Sequence, residues 1–162
     1  MGQPAKKLRS QDRVSHPYEK ISRIDGRHPF KENVPFSFVD YKVRHRHGGH
    51  VVYLNFTLAK EMGLIPASHP DSLNRDLEDT LLDSFSNVII NEYDLMKGTR
   101  IDQSDVKDHA FMATRYLQLQ HPSRTGLTSG DGRSIWNGVV RHQGKTWDIS
   151  SRGTGATCLS PA

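Results

Sequence analysis

Only one cysteine, Cys158, stands among the 162 residues, which leaves no internal disulfide and no multi-cysteine zinc site. A reducing compartment is compatible with that, and the cytoplasm is the default expectation. No run approaches the roughly 18 apolar residues a membrane-spanning helix needs, and the first twenty residues carry charge where a secretory signal carries an apolar core. Membrane and secretory readings are therefore not expected. Hydrophobic residues are also scarce, at 35% with a mean hydropathy of -0.65. That is polar for a chain closing a complete core, so the sequence reads as part of a larger protein.

The net charge of +4 is uneven. Residues 1–31 hold 8 basic against 3 acidic side chains, whereas residues 60–110 hold 5 against 11. The basic N-terminal stretch contains Pro4, Pro17, Gly26, Pro29 and Pro35 and few aliphatics, and residues 1–50 read as a mobile or wrapping arm. Lys6, Lys7, Arg9 and Arg13 lack aromatic interleaving, so a nucleic-acid partner is not expected.

Val51–Phe56 is β-branched and aromatic, as in a buried strand, and a short helix over 57–62 follows it with Asn55 near its N-cap and Gly63 at its end. From Asp71 to about Ile90, Leu73, Leu77, Leu81, Phe85 and Ile89 recur every four residues, the pattern of an amphipathic helix. A second helix is expected from Ser104 or Asp105, with Val106, Ala110, Ala113 and Leu117 on one side, ending before Pro122. Glycine-rich texture then takes over. Ser134–Arg141 and Lys145–Ser150 read as a hairpin turned by His142-Gln143-Gly144.

His45, His47 and His50 are closely spaced, but Arg44 and Arg46 repel a dication and no carboxylate sits at ligand spacing, so no metal site is expected in this chain. Glu78 with Asp79, and Asp105 with Asp108, read as the wet faces of helices rather than acid–base pairs. No nucleophile-elbow pattern accompanies the many Ser, His and Asp residues. The stronger signal is Ser129-Gly130-Asp131-Gly132-Arg133, followed nineteen residues after Arg133 by Arg152-Gly153-Thr154-Gly155. Glycines let backbone N–H groups turn toward a phosphate, and a guanidinium adds a planar bidentate partner. Neither corner fits the Walker or dinucleotide pattern. Two tight turns remain the alternative to an anion cradle.

These residues resemble the SelO family of protein adenylyltransferases, pseudokinases with a protein-kinase-like fold. Gly130-Asp131-Gly132-Arg133 matches the family's Gly-Asp-Gly-Arg, and residues 147–157 line up with its Leu-Lys-Gly-Ser-Gly-Arg-Thr-Pro-like stretch. Asn55–Leu64 is similar to its Asn…Leu-Ala…Leu-Gly-Leu segment, and all three occur in the same order. Arg152 stands where the family has a lysine, Ala156 where it has an arginine, and Cys158 lies near its proline. The resemblance implies transfer of AMP from ATP to protein hydroxyls, with Gly130, Gly132, Arg133 and Arg152 at the nucleotide. The catalytic aspartate and the magnesium-binding Asn and Asp of the family have no counterparts here, which implies that this chain alone is inert.

The expectation is thus an α+β chain: an arm over 1–50, then an incomplete kinase-like small lobe with a glycine-rich β-hairpin over 51–162. Its cofactors are ATP and, through residues beyond this sequence, magnesium. Its partners are ATP and protein substrates. The alternatives are a non-catalytic interaction module whose basic arm docks on an acidic partner, and a kinase-like protein that transfers a phosphoryl group.

Overall fold

A computed structural model describes residues 16–35, 38–114 and 134–155. It is a mixed α/β chain built on a five-stranded antiparallel sheet in the order β2-β1-β3-β4-β5. The strands are β1 (Phe38–His45), β2 (Asn87–Ile89), β3 (Val106–Thr114), β4 (Ser134–His142) and β5 (Lys145–Arg152). The helices are α1 (Glu19–Ser22), α2 (Pro29–Asn33), α3 (Phe56–Glu61), α4 (Arg75–Phe85) and α5 (Glu92–Met96).

The hairpin forms as its sequence dictates. Gln143 and Gly144 occupy a two-residue loop with φ of 49° and 76°, the primed geometry that matches strand twist. Asn55 caps α3 by accepting the Leu58 N–H at 3.0 Å, and Met62 and Gly63 end the helix.

Three expected elements differ. Val51–Asn55 is irregular rather than a strand, and Val52 and Tyr53 are 85% and 79% exposed. Strand propensity reports packing beside a partner strand, and this run has no ladder partner among the described strands, while Val51 and Leu54 pack on the helical layer. The acidic helix stops at Phe85, and the β-branched run that follows turns into β2, where Ile89 is buried opposite Val43. Residues 106–114 form β3 instead of a helix. The start signal there is real but serves one 3-10 turn, Gln103–Asp105, capped by Asp102. Phe38–Thr114 pairing along β1 then captures the segment as a strand, because a ladder with a buried face outweighs modest helix propensity. Within residues 1–50, β1 is an internal strand and Tyr18 and Ile21 are buried.

Three buried clusters hold the layers together. Tyr41, Val43, Ile89, Phe111, Ala113 and Ile135 cover one face of the sheet. Tyr18 and Ile21 pack on Ala59, Ile65, Leu77 and Leu81 in the helical layer. Ile24, Met62 and Val140, with Trp147 and Ile149, join that layer to the hairpin. Each fully buried aliphatic contributes roughly 1.5–3 kcal/mol.

Among the described residues β3 and β4 pair only at Met112 and Trp136. Gly26 enters the gap beyond this pair, its N–H donating to Asn137 C=O at 2.6 Å. At φ +85° a Cβ there would stand 2.5 Å from Ala110 O, so only glycine fits.

A polar link fastens α1 to α4. Asn74 caps α4 by accepting from Leu77 N at 2.8 Å, and its Nδ2 donates to Tyr18 Oη at 2.9 Å. His69 Nδ1–H donates to Pro70 O at 2.7 Å, which leaves Nε2 to accept from Tyr18 at 2.9 Å. Asn74→Ala therefore loses a cap and a part-buried hydrogen bond, about 2 kcal/mol together. Asn74→Asp keeps the cap and loses about half as much. Urea denaturation measures both, and equal losses would show that the Tyr18 link carries no weight.

Candidate anion-binding site

Of the four residues singled out at the nucleotide, the structure describes one. Gly130, Gly132 and Arg133 lie outside the described residues. Arg152 closes β5, exposed, with its Cα opposite Ser134 at the start of β4. Ser134 follows Arg133 in the chain. The hairpin register therefore brings Arg152 beside the point where the chain arrives from the Gly130–Arg133 stretch.

Beyond Arg152 the backbone turns sharply. Gly153 and Gly155 have φ of +77° and +114°, a region L side chains avoid. Thr154 between them is buried, and its C=O accepts from Ile89 N at 3.0 Å. The end of β5 is thereby tied to β2, at the other end of the strand order. A Cβ on Gly155 would stand 3.2 Å from Ile89 Cγ1, so a larger residue would push this joint apart.

A groove of about 250 Å³ opens along that joint. Its described polar wall is Arg46, Ser86, Asn87, Ser151, Arg152 and Thr154, with no carboxylate among the described lining residues. Arg46 is set by reciprocal bonds: its N–H donates to Ser86 O at 2.8 Å, and Ser86 Oγ donates to Arg46 O at 2.7 Å. Two guanidiniums from different strands, beside a glycine corner, form a wall suited to an anion. Magnesium takes carboxylate and other oxygen ligands. Among the described residues no carboxylate lines this groove, and no group of three or more His, Cys, Asp or Glu converges.

A larger cavity lies elsewhere, where β3 and β4 separate. It encloses about 840 Å³ between residues 22–32 and strands β3 and β4. Arg23, Arg27, Lys107 and Arg141 line it together with Asp25, Glu32 and Asp83. Most of that charge is spent internally: Arg27 pairs with Asp25 at 2.6 Å, Lys107 with Asp83 at 2.8 Å, and Arg23 with Glu19. The cavity is larger than the groove but has far less surplus positive charge. Asn87 lines both spaces.

Sequence reasoning missed Arg46, Asn87 and this cavity. Asn87 fell inside the overlong helix and the cavity's β3 wall inside a supposed helix. Arg46 was weighed only as a charge repelling metal from the histidines.

Those histidines stand at the end of β1 and just beyond. The rings of His45 and His47 meet edge to face at 4.8 Å. His47 Nε2 reaches Asp105 Oδ1 at 2.7 Å, a carboxylate that local spacing could not reveal. Burial lowers the pKa of His45 from its ordinary 6.5, and the charges of Lys107 and His47 lower it further. His45 Nδ1 is also buried without a hydrogen-bond partner.

The chain matches no known protein family, no curated protein and no solved structure. No described helix is long and apolar enough to cross a membrane.

The depressed His45 pKa has a definite sign. The unfolded chain takes up this proton first as pH falls, so the contribution is present above 6.5 and is lost as pH drops through the folded value. Thermal denaturation from about pH 7.5 to 5.5 should show a steeper fall in Tm for wild type than for His45→Gln. Parallel profiles would remove His45 from the acid response.

Proposed function

We propose that this chain is the N-terminal, nucleotide-binding part of a SelO-like protein adenylyltransferase, and that its sheet and hairpin belong to a kinase-like small lobe. The whole enzyme transfers AMP from ATP to a Ser, Thr or Tyr hydroxyl of a protein. The observation that carries the reading is the register of β4 and β5, which sets Arg152 opposite the residue that follows Arg133. A Gly-Asp-Gly-Arg entry and an Arg-Gly-Thr-Gly exit then serve one phosphate chain from the same end of the hairpin.

In this chemistry the hydroxyl oxygen attacks the α-phosphorus, the bond to the bridging oxygen of the β-phosphate breaks, and pyrophosphate leaves. The hydroxyl proton passes to a base. Arg133 and Arg152 hold and neutralise the phosphates, which counts most in the transition state, where charge is moving onto the leaving group. Magnesium, when bound, adds further neutralisation, and its ligands belong to parts of the enzyme outside this sequence. A clamp without base or metal ligands binds nucleotide and does not turn it over.

Calorimetric titration of the 162-residue chain with ATP tests this. Arg133→Ala and Arg152→Ala are each expected to weaken binding about tenfold, as loss of a charge-assisted hydrogen bond does. Arg152→Lys, which restores the resembled family's residue, is expected to retain most of the affinity. ATP binding unchanged in both alanine variants would overturn the proposal. In the whole enzyme a mass gain of AMP supports it, and a gain of phosphate alone favours phosphoryl transfer.

A second reading, a non-catalytic interaction module, is favoured by the exposed Val52, Tyr53, Leu95 and Met96, which are 73–85% accessible. Partner capture that is salt-sensitive and indifferent to ATP would support that reading instead.

A further inference from the structure

The geometry points to His28 as a proton-operated latch. In its neutral form it caps α2 and holds the segment between α1 and α2 in the gap where β3 and β4 separate; on protonation it keeps its bond to β5 and releases α2.

That segment divides two spaces. Asp25, Arg27, His28 and Glu32 line both the cavity of about 840 Å³ and a second one of about 470 Å³ against β3. Gly26 fastens the middle of the segment to Asn137 C=O, and His28 fastens its far end. The imidazole is only 8% exposed and meets three elements. Phe30 N–H donates to Nδ1 at 3.1 Å, which caps α2. Nε2 stands 3.1 Å from Asp148 Oδ1 on β5, and the ring stacks on Trp136 of β4 at 4.4 Å and 14°.

These partners dictate one protonation state. A backbone N–H only donates, so Nδ1 carries a lone pair, and the single ring proton sits on Nε2, where it donates to Asp148. Turning the ring over would set carbon atoms against both partners. A second proton can go only to Nδ1, where it faces the Phe30 N–H, and the cap is lost. The other two contacts gain: the bond to Asp148 becomes charge-assisted, and a cation then lies on an aromatic face. The proton thus moves the hold from α2 to the sheet. Of the other charges, Arg27 is held by Asp25 at 2.6 Å and Lys31 by Asp40 at 2.7 Å. Glu32, with Asp108 and His109 of β3, lines the smaller space beside His28. The β4 contact, Trp136, carries no charge, and Asp148 is the carboxylate bonded to the ring.

Nitrogen-15 NMR of the 162-residue chain, titrated from about pH 8 to 5, where imidazoles exchange their proton, tests the latch. At the upper end His28 should show a protonated Nε2 and a bare Nδ1. As Nδ1 takes its proton, the Phe30 amide resonance should shift with it. Protection of that amide against exchange, corrected for the intrinsic pH dependence, should fall about fivefold, the weight of a typical N-cap. His28→Asn, whose side-chain oxygen caps without titrating, should hold the Phe30 amide constant over the same range, which separates His28 from His109. Asp148→Asn should move the His28 transition to lower pH, because the cation loses its anion. A proton on Nδ1 at pH 8, a Phe30 amide that ignores the His28 transition, or the same Phe30 response in His28→Asn would overturn the proposal.

Discussion

The hydrogen bond from Ile89 N–H to Thr154 C=O joins the end of β5 to β2, two strands at opposite ends of the sheet. Without it Arg152 would end a free edge strand. With it, the sheet curls until Arg152 and Arg46 share a groove. The joint demands particular residues on both sides. Gly155 must lack a side chain where it meets Ile89, and Thr154 is carried into a buried position where its hydroxyl goes unsatisfied. The fold thus accepts a local cost at the joint that sets Arg152 beside Arg46.

The two concave spaces show how charge rather than size distinguishes them. The larger cavity brings together several ions of both signs and pairs most of them internally. Those pairs brace the α1–α2 connection internally and tie β3 to α4, a structural task. The described wall of the smaller groove holds Arg46 and Arg152.

What the sequence revealed, and what it concealed, divides along the range of the interactions. Elements fixed by neighbouring residues were legible: the hairpin by its Gln143-Gly144 turn, α3 by Asn55, and α4 by Leu77 and Leu81 on one face. Elements decided by distant partners were not. β3 carries residues at helical spacing and becomes a strand through β1. Ile89 continues the four-residue rhythm of α4 but belongs to β2. In β1 itself, buried Tyr41 and Val43 alternate with exposed Asp40 and Lys42, a period-two signal that was available within a segment read as an arm. The candidate site follows the same division. Arg152 could be picked out from its glycine corner, whereas Arg46, Asn87 and Thr154 gain meaning only when β5 closes onto β2.

Amide hydrogen exchange of the 162-residue chain with and without ATP tests the central claim most directly, because it locates the ligand without any substitution. The account predicts slower exchange confined to residues 44–46, 86–89 and 152–155, together with the Gly130–Arg133 stretch. No change at those amides, or slowing centred instead on residues 22–32 and 107–111 around the large cavity, would contradict it.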